Sequence, residues 1–148
     1  MKRLFPSGTA VAIALTAASV VSSQTNFVSG ITNNSYDKAV PLVNAGGKFV
    51  WNGFDGHDYE IYLIDGSTIT QITDNDYNDY DPLINAEGKV VWWGFDGHDT
   101  EIFLYDGKTV INISNNDYND YTPAINAEGK VVWRGFNGRD YEIFLYDG

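Results

Sequence analysis

The chain contains a tandem repeat whose length limits what it can fold into. Residues 26–148 divide without remainder into three copies of 41 residues, 26–66, 67–107 and 108–148. Several residues recur once per copy and mark the register: Pro41, Pro82 and Pro123, and Trp51, Trp92 and Trp133. A unit of this size with several short apolar runs cannot bury its own faces, so such units stack as solenoids or propellers.

The copies are also closely similar to one another. Residues 74–107 and 115–148 are identical at 27 of 34 positions. An enzyme active site requires different groups that converge on one point, such as a nucleophile and an acid. Near-identical units instead present the same side chains several times, which favours a binding surface or a scaffold.

The first 23 residues are typical of a secretory signal peptide. Lys2 and Arg3 give a basic start, and the apolar run 10–21 precedes a possible cleavage site before Gln24. This run is shorter than the roughly 20 residues that span a bilayer. We expect an exported protein (periplasmic, at the cell surface or secreted) with no stable membrane span in the mature chain. An uncleaved anchor and cleavage after Ser19 are the alternatives.

Composition excludes one class of partner. The sequence has no cysteine, so packing alone must hold the fold. Without the first 23 residues, 7 basic and 20 acidic residues remain, a formal charge of −13. A surface this acidic repels phosphate backbones, so no nucleic-acid partner is expected; it favours cations or basic partner surfaces.

Each copy predicts four short strands. In the second copy these cover 81–84, 89–95, 101–105 and 109–113, and they are rich in β-branched and aromatic residues. The turn at 85–88 ends in glycine, where a positive φ is expected, and Asp96-Gly97 is a strong hairpin signal. No window after the leader has a helical apolar period. The pattern predicts a four-stranded meander.

The central strands are apolar on both faces. Val90, Val91, Trp92 and Trp93 follow one another without alternation, so both faces of the sheet must be covered. A four-stranded sheet covered on both sides by copies of itself is a β-propeller blade, and the Trp92 position is expected in the core. Gly94 is predicted to permit close approach of a neighbouring sheet. The fold class is therefore all-β, made of propeller blades.

The repeat resembles a known family. Each copy has a proline, a short turn ending in Gly-Lys, an apolar strand with an aromatic end and a strand close to Glu-Ile-Phe-Leu-Tyr-Asp-Gly; the first two copies then close with Ile-Thr or Ile-Ser. This pattern resembles the TolB-like branch of WD-type propeller repeats, although the family usually has Ser-Pro-Asp-Gly where this chain has Asn-Ala-Glu-Gly. The resemblance implies an extracytoplasmic binding or interaction module, commonly of six or seven blades, with no conserved catalytic chemistry.

Three blades are fewer than the 4 to 8 of a typical ring. The sequence leaves two explanations open: the chain is a fragment of a longer array, or it is half of a six-bladed ring formed by a homodimer. Residues 27–32 align with 68–73, so this N-terminal segment is expected to supply the fourth strand that the third copy lacks.

The loops predict a ligand rim. In a propeller, the turn between strands two and three lies on the same face as the segment that enters the next blade. The copies differ most in and just before this turn, which favours a rim tuned blade by blade to a protein or carbohydrate ligand, with free drift of exposed loops as the alternative. The candidate rim residues are Asn52, His57, Trp93, His98, Arg134 and Arg139.

Calcium is the one cofactor that the sequence suggests. Asp74, Asp76 and Asn78 begin like an EF-hand loop, and Asp117 and Asn119 repeat part of the series. The match stops there, because no glycine follows at the sharp turn and no glutamate stands at the twelfth position. Ordinary turns, in which Asp and Asn bond their own backbone, are the alternative.

Paired carboxylates recur two residues apart in every copy. Each pair is an aspartate followed by a glutamate: Asp58 and Glu60, Asp99 and Glu101, and Asp140 and Glu142. Their spacing places both on one face of a strand, and we expect these pairs to cap the hairpin and to bond neighbouring blades, rather than to act as acid and base or to bind a cation. The sequence thus predicts an exported, non-catalytic binding or protein-interaction module. A polymer-acting hydrolase or lyase that uses these carboxylates, or a structural surface protein, are the alternatives.

Overall fold

The computed structural model describes residues 30–32 and 35–148. The predicted signal peptide at 1–23 lies outside the described residues, as does most of the predicted closing strand at 27–32. The described part of that segment, 30–32, is exposed and belongs to no strand. None of the described residues belongs to a helix long and apolar enough to cross a membrane.

Residues 38–146 form three antiparallel sheets. The first contains β1 (Lys38–Val43), β2 (Phe49–Phe54), β3 (Tyr59–Asp65) and β4 (Thr68–Gln71), in that order. The second contains β5 (Asp79–Ile84), β6 (Val90–Phe95), β7 (Thr100–Tyr105) and β8 (Val110–Asn112). The third contains β9 (Asp120–Ile125), β10 (Val131–Phe136) and β11 (Tyr141–Tyr146), with β10 in the middle.

The predicted meander is confirmed. In the second sheet the two central strands match the predicted segments to within one residue, while the first begins at Asp79 and the last is shorter than predicted. The turn before β6 has Gly88 at φ +91°, and the Gly88 amide donates to the Asn85 carbonyl at 3.1 Å. The sheets are propeller blades, as the sequence predicted.

Each first strand is interrupted by a bulge. The pairing of β5 with β6 shifts between Tyr80 and Leu83, and Asp81 there has φ +51°. Val40 and Thr122 adopt the same left-handed conformation at the equivalent positions, each directly before a proline. Proline lacks an amide hydrogen for the ladder, so the bulge falls where pairing is already lost.

The second sheet is buried on both faces. One face contributes Val90 and Trp92 to a core shared with Val50 and Ile61 of the first sheet. The other face contributes Val91, Ile102 and Leu104 to a core shared with Val131 and Trp133 of the third sheet. The predicted core position of the tryptophans is confirmed, since Trp51, Trp92 and Trp133 are 5%, 0% and 6% exposed.

The outward face of the third sheet is not covered in the same way. Val132, Ile143 and Leu145 are 40%, 74% and 61% exposed. Their equivalents in the second sheet, Val91, Ile102 and Leu104, are 0%, 0% and 4% exposed. We call Val132, Arg134, Ile143 and Leu145 the open face.

Asparagines also join the sheets at their turns. Asn44 Nδ2 donates to the Asn85 carbonyl at 2.9 Å, and Asn85 Nδ2 donates to the Asn126 carbonyl at 3.1 Å. The Oδ1 atoms of Asn44, Asn85 and Asn126 each accept from the amide of the lysine four residues later. One side chain therefore closes its own turn and binds the next sheet.

Candidate functional site

The strongest candidate site lies where two kinds of loop meet at the sheet boundaries. The hairpin loops, residues 55–58, 96–99 and 137–140, join the second and third strands of each sheet. The linker loops, residues 72–78 and 113–119, join consecutive sheets. Tyr77 of a linker loop contacts Phe95 at 5.1 Å between ring centroids, beside the second hairpin loop, and Asn78 Oδ1 accepts from Tyr59 N at 3.0 Å, beside the first. The predicted meeting of these loops is confirmed.

The first residue of each hairpin loop caps it. Asp55 Oδ1 accepts from the amides of His57 at 2.7 Å and Asp58 at 3.2 Å, and the bond from His57 is the main cause that lowers the pKa of Asp55. Asp96 and Asn137 make the same pair of bonds in the other two loops. The expectation that Asp58 and Asp99 cap the hairpin was therefore wrong, because the fourth loop residue supplies an amide and the first supplies the acceptor.

The glutamate that follows each buried hairpin bonds the next sheet. Glu60 Oε1 accepts from Asn75 N at 2.7 Å, and Asn75 Nδ2 donates to Asp79 Oδ2 at 2.9 Å. Asp79 Oδ1 in turn accepts from Trp92 Nε1 at 2.8 Å. At the next boundary the chain runs through Glu101, Asn116, Asp120 and Trp133 with distances of 2.8, 2.6 and 2.9 Å. The predicted bonding between blades therefore holds for Glu60 and Glu101, which act through the linker loops, and not for the third copy, where Glu142 is exposed.

This chain of bonds gives a stability prediction. Asp79→Asn replaces an acceptor of Asn75 Nδ2 by a donor, and Asn75 cannot turn its amide over because its Oδ1 accepts from Tyr77 N at 2.7 Å. An unpaired buried polar group costs about 1–3 kcal/mol, so we expect that loss in the free energy of unfolding, measured by urea denaturation. Asp81→Asn is the matched control.

The control alters a pair of the same type at the surface. Asp81 Oδ2 accepts from Trp93 Nε1 at 3.1 Å, but this bond is exposed to water. Water replaces a lost partner there, so Asp81→Asn is expected to cost less than about 0.5 kcal/mol. Equal losses for the two variants would contradict the proposed importance of the buried chain.

Several buried carboxylate oxygens have no hydrogen-bond partner within the described part of the chain. They are both oxygens of Asp58, both oxygens of Asp99, and Glu60 Oε2. Asp58, Asp99 and Glu60 are only 5%, 7% and 0% exposed. Burial raises the pKa of Glu60 and of Glu101 to about 7, and the neighbouring carboxylates act in the same direction. Placing like charges together away from water is costly unless something neutralises them.

These carboxylates form two clusters. Oxygens of Asp96, Asp99 and Glu101 lie within 4.8 Å of one another, and so do oxygens of Asp55, Glu60 and Asp74. Sequence analysis paired Asp58 with Glu60 and Asp99 with Glu101 by their two-residue spacing, but it did not predict that Asp55, Asp74 or Asp96 would join them. A signal for the role of Asp96 was available in the third copy, where Asn137 replaces the capping aspartate.

The structure uses the residues of the EF-hand-like series differently from a calcium loop. Asn78 Oδ1 and Asn119 Oδ1 accept from the backbone amides of Tyr59 and Thr100 in the preceding sheet. Asp76 and Asp117 are exposed and belong to neither carboxylate cluster. Asp74 alone of the five residues joins a cluster, and its partners come from the hairpin rather than from its own loop.

Three of the six candidate rim residues lie on the hairpin loops. The side chains of His57 and His98 are 72% and 75% exposed, and the Nδ1 atoms lie 3.6 Å from Asp58 Oδ2 and Asp99 Oδ2. Arg139 is exposed in the third loop. Their location agrees with the rim prediction, and their binding of a ligand stays a prediction.

The other three candidates lie elsewhere. Asn52 is 3% exposed, and Trp93 is partly buried against the core between the second and third sheets. Arg134 lies on the open face, with its guanidinium 3.5 Å from the centroid of the Tyr141 ring. The three occupy one equivalent position on the second strand, which points towards the following sheet rather than to the rim.

The glycines of the second strands also differ from expectation. Gly94 faces the Asp79 carboxylate of its own sheet, so close that an added Cβ would lie 2.0 Å from Asp79 Oδ1. The missing side chain therefore makes room for the carboxylate that binds Trp92 rather than for a neighbouring sheet.

Comparison with known proteins identifies the fold of the chain but does not assign it to a family. No protein-family model matches the chain, and a search of curated proteins finds no significant match. Among solved structures, the β-propeller domain of the trilobed protease from Pyrococcus furiosus, described as having an open velcro topology, is similar with a TM-score of 0.59 and 20% identity. The acylaminoacyl peptidase of Pyrococcus horikoshii is similar with a TM-score of 0.60 and 19% identity.

The similarity covers most of this chain but little of the peptidases. It includes 72% of this chain and 36% of the Pyrococcus furiosus structure, and 76% of this chain and 18% of the Pyrococcus horikoshii structure. The chain thus corresponds to about a third and a fifth of their lengths. At this identity the comparison establishes a β-propeller fold.

Proposed function

We propose that the chain is an exported, non-catalytic protein-interaction module whose open face packs against the first sheet of a second copy. One observation carries this proposal. The positions that form the open face are buried in the first two sheets, where Val50 and Ile61, like Val91 and Ile102, are 0% exposed, yet Ile143 is 74% exposed in the third. Among the described residues, a face built for contact with another sheet has no sheet packed against it.

The first sheet supplies a matching surface. Inside the chain, the face with Val91, Ile102 and Leu104 packs on the face with Val131 and Trp133. The open face repeats the first set, and the equivalents of the second set in the first sheet are Phe49, which is 38% exposed, and Trp51. A second copy can therefore repeat a contact that the chain already makes, and two such contacts close a six-bladed ring.

Polar groups at both ends of the open face support the same contact. Glu60 and Glu101 bond the linker loop of the following sheet, and their equivalent Glu142 is exposed. Asn44 and Asn85 bond the turn of the following sheet, and their equivalent Asn126 is exposed. The third sheet thus retains the apolar and the polar groups that join sheets elsewhere in the chain.

The buried carboxylates argue against the hydrolase or lyase alternative. Glu60 and Glu101 are 0% exposed, so neither reaches a polymer chain at the surface. One similar structure is the propeller domain of a protease, which supports a propeller acting as a module beside other domains. Export is proposed on the leader sequence alone.

Mutation of the open face tests the proposal. We expect Ile143→Asp with Leu145→Asp to weaken association between two differently tagged copies at least roughly 30-fold, since central interface residues contribute about 2 kcal/mol or more. The measurement is co-purification of the two tags, quantified by sedimentation velocity.

Val110→Asp with Ile111→Asp is the control. These residues are 42% and 39% exposed on β8, away from the open face. The control should associate like the original chain. Association that survives the open-face variant, or that is lost equally in the control, would contradict the proposal.

A further inference from the structure

We propose that the first and second hairpin loops each bind one Ca²⁺ ion, held by the carboxylates that converge beneath the loop. This site differs from the EF-hand-like series, and it is independent of the proposed docking function. The argument starts from the second loop, where the geometry is most complete.

The second site is formed by Asp96, Asp99 and Glu101. Asp96 begins the hairpin loop, Asp99 ends it, and Glu101 lies on β7, so a single hairpin positions all three. One oxygen of each lies within 4.8 Å of the others. Asp99 is 7% exposed, and neither of its oxygens has a hydrogen-bond partner within the described residues. Its nearest basic group is the exposed His98 imidazole, whose Nδ1 lies 3.6 Å from Asp99 Oδ2 and is charged only when protonated. A buried carboxylate that belongs to a carboxylate cluster and accepts no hydrogen bond is a suitable ligand for a cation.

The first site is formed by Asp55, Glu60 and Asp74. The hairpin supplies the first two, and the linker loop supplies Asp74. Glu60 is 0% exposed, and its Oε2 makes no well-formed hydrogen bond in the part of the chain that the structure describes, although the Thr73 side chain interacts with this carboxylate. Asp58, equivalent to Asp99, is 5% exposed and likewise accepts no hydrogen bond among the described residues, with His57 Nδ1 at 3.6 Å from its Oδ2. The site therefore gathers three carboxylates where the first hairpin meets the linker loop.

The chemistry of the clusters favours calcium. All ligands are carboxylate oxygens, which hard cations prefer. Three carboxylates whose oxygens all lie within 4.8 Å of one another can share one such ion. Ca²⁺ accepts about 6–8 oxygens in flexible geometry, whereas Mg²⁺ demands a near-ideal octahedron, so an irregular set of side chains suits Ca²⁺ better.

The third hairpin loop lacks the site and provides an internal comparison. Asn137 replaces the capping aspartate, and its Nδ2 donates to Asp140 Oδ1 at 2.9 Å. Arg139 replaces the histidine, and Glu142 is exposed. A neutral donor thus satisfies the aspartate whose equivalents, Asp58 and Asp99, accept no hydrogen bond among the described residues. We infer two ions per chain, one at each of the first two loops.

Isothermal titration calorimetry with CaCl₂ tests the proposal on the chelator-treated full chain. The expected result is saturable binding of two ions per chain. Asp99→Asn should weaken Ca²⁺ binding at the second loop by at least roughly tenfold. Asp74→Asn should abolish or similarly weaken binding at the first loop, and Asp140→Asn in the third loop should leave both sites unchanged.

Thermal denaturation separates metal binding from a structural role. In EDTA, Asp99→Asn removes a buried carboxylate that accepts no hydrogen bond, so its melting temperature should equal or exceed that of the original chain. Addition of CaCl₂ should raise the melting temperature of the original chain by more than it raises that of Asp99→Asn. If Asp99→Asn fails to fold, Asp74→Asn still tests the proposal. This variant is expected to fold, because the equivalent residue in the third copy is already an asparagine, Asn115.

Two results would overturn the proposal. One is the absence of saturable Ca²⁺ binding by the original chain at millimolar concentration. The other is retention of two sites in both Asp99→Asn and Asp74→Asn.

Discussion

Gly135→Ala and Gly94→Ala are each expected to lower the free energy of unfolding by about 3–5 kcal/mol, combining overpacking with loss of a buried hydrogen bond. An added Cβ would lie 1.9 Å from Asp120 Oδ1 at Gly135 and 2.0 Å from Asp79 Oδ1 at Gly94. At Gly135 the Phe144 ring is also within 2.8 Å. Both contacts are far shorter than any van der Waals separation.

The carboxylates cannot move aside without cost. Asp120 accepts from Trp133 Nε1 at 2.9 Å in a buried bond within the third sheet, and from Asn116 Nδ2 of the linker loop at 2.6 Å in a partly buried bond. Displacing Asp120 would leave the indole N–H unpaired and loosen the link to the second sheet. The added methyl group would therefore overlap with the same Asp120 carboxylate that these hydrogen bonds hold in place.

Gly53→Ala is the matched control. Lys38 stands in the first sheet where the others have aspartate, and the nearest atom to an added Cβ is Trp51 Nε1 at 3.3 Å. We expect a loss below about 1.5 kcal/mol there, as measured by urea denaturation followed by circular dichroism. Similar losses at Gly53 and Gly94 would show that a general intolerance of side chains, rather than the carboxylate, explains the glycines.

Trp92→Ala is expected to be the most damaging substitution of a core residue, with a loss of about 4–6 kcal/mol. Trp92 is 0% exposed and stacks on Phe103 at 5.8 Å between centroids. Its Nε1 also satisfies the buried Asp79 carboxylate. The substitution would create a cavity between the first two sheets and leave an acceptor without its donor.

Trp93→Ala, at the adjacent residue, is the comparison that tests whether Trp92 belongs to the principal core. Trp93 is partly buried, and its ring contacts Tyr80 at 4.9 Å, while its Nε1 bonds an exposed aspartate. We expect Trp93→Ala to lower the free energy of unfolding by about 1–3 kcal/mol. Trp93 buries less apolar surface than Trp92, and water replaces the hydrogen bond that its Nε1 loses. Thermal and urea denaturation of both variants check the difference. A larger loss for Trp93→Ala would contradict the assignment of Trp92 to the principal core.

The sequence predicted the sheets well for a physical reason. The 41-residue spacing of Trp51, Trp92 and Trp133 fixes equivalent positions, and strands apolar on both faces require cover from neighbouring copies. Turn glycines such as Gly88 then limit where strands can end. The start of β5 at Asp79, before the predicted position, follows from the bond to Trp92, which local propensity does not reveal.

The candidate site was predicted less well, because its geometry depends on which way each side chain points and on how deeply it is buried. Asn52, Trp93 and Arg134 vary between copies, but variation does not tell which side of a strand faces the next sheet. Asp74, Asp76 and Asn78 match a calcium-loop spacing, but Asn78 bonds the preceding hairpin instead. The convergence of Asp96 with Asp99 and Glu101 depends on how the hairpin loop folds back on β7, which residue spacing alone does not specify.

The solution mass of the purified chain, measured by light scattering over a range of concentrations, tests the central claim that the open face joins a second copy. The account predicts a discrete dimer with twice the mass of the chain, which Ile143→Asp with Leu145→Asp converts to monomer. A well-folded monomer at every concentration would contradict it.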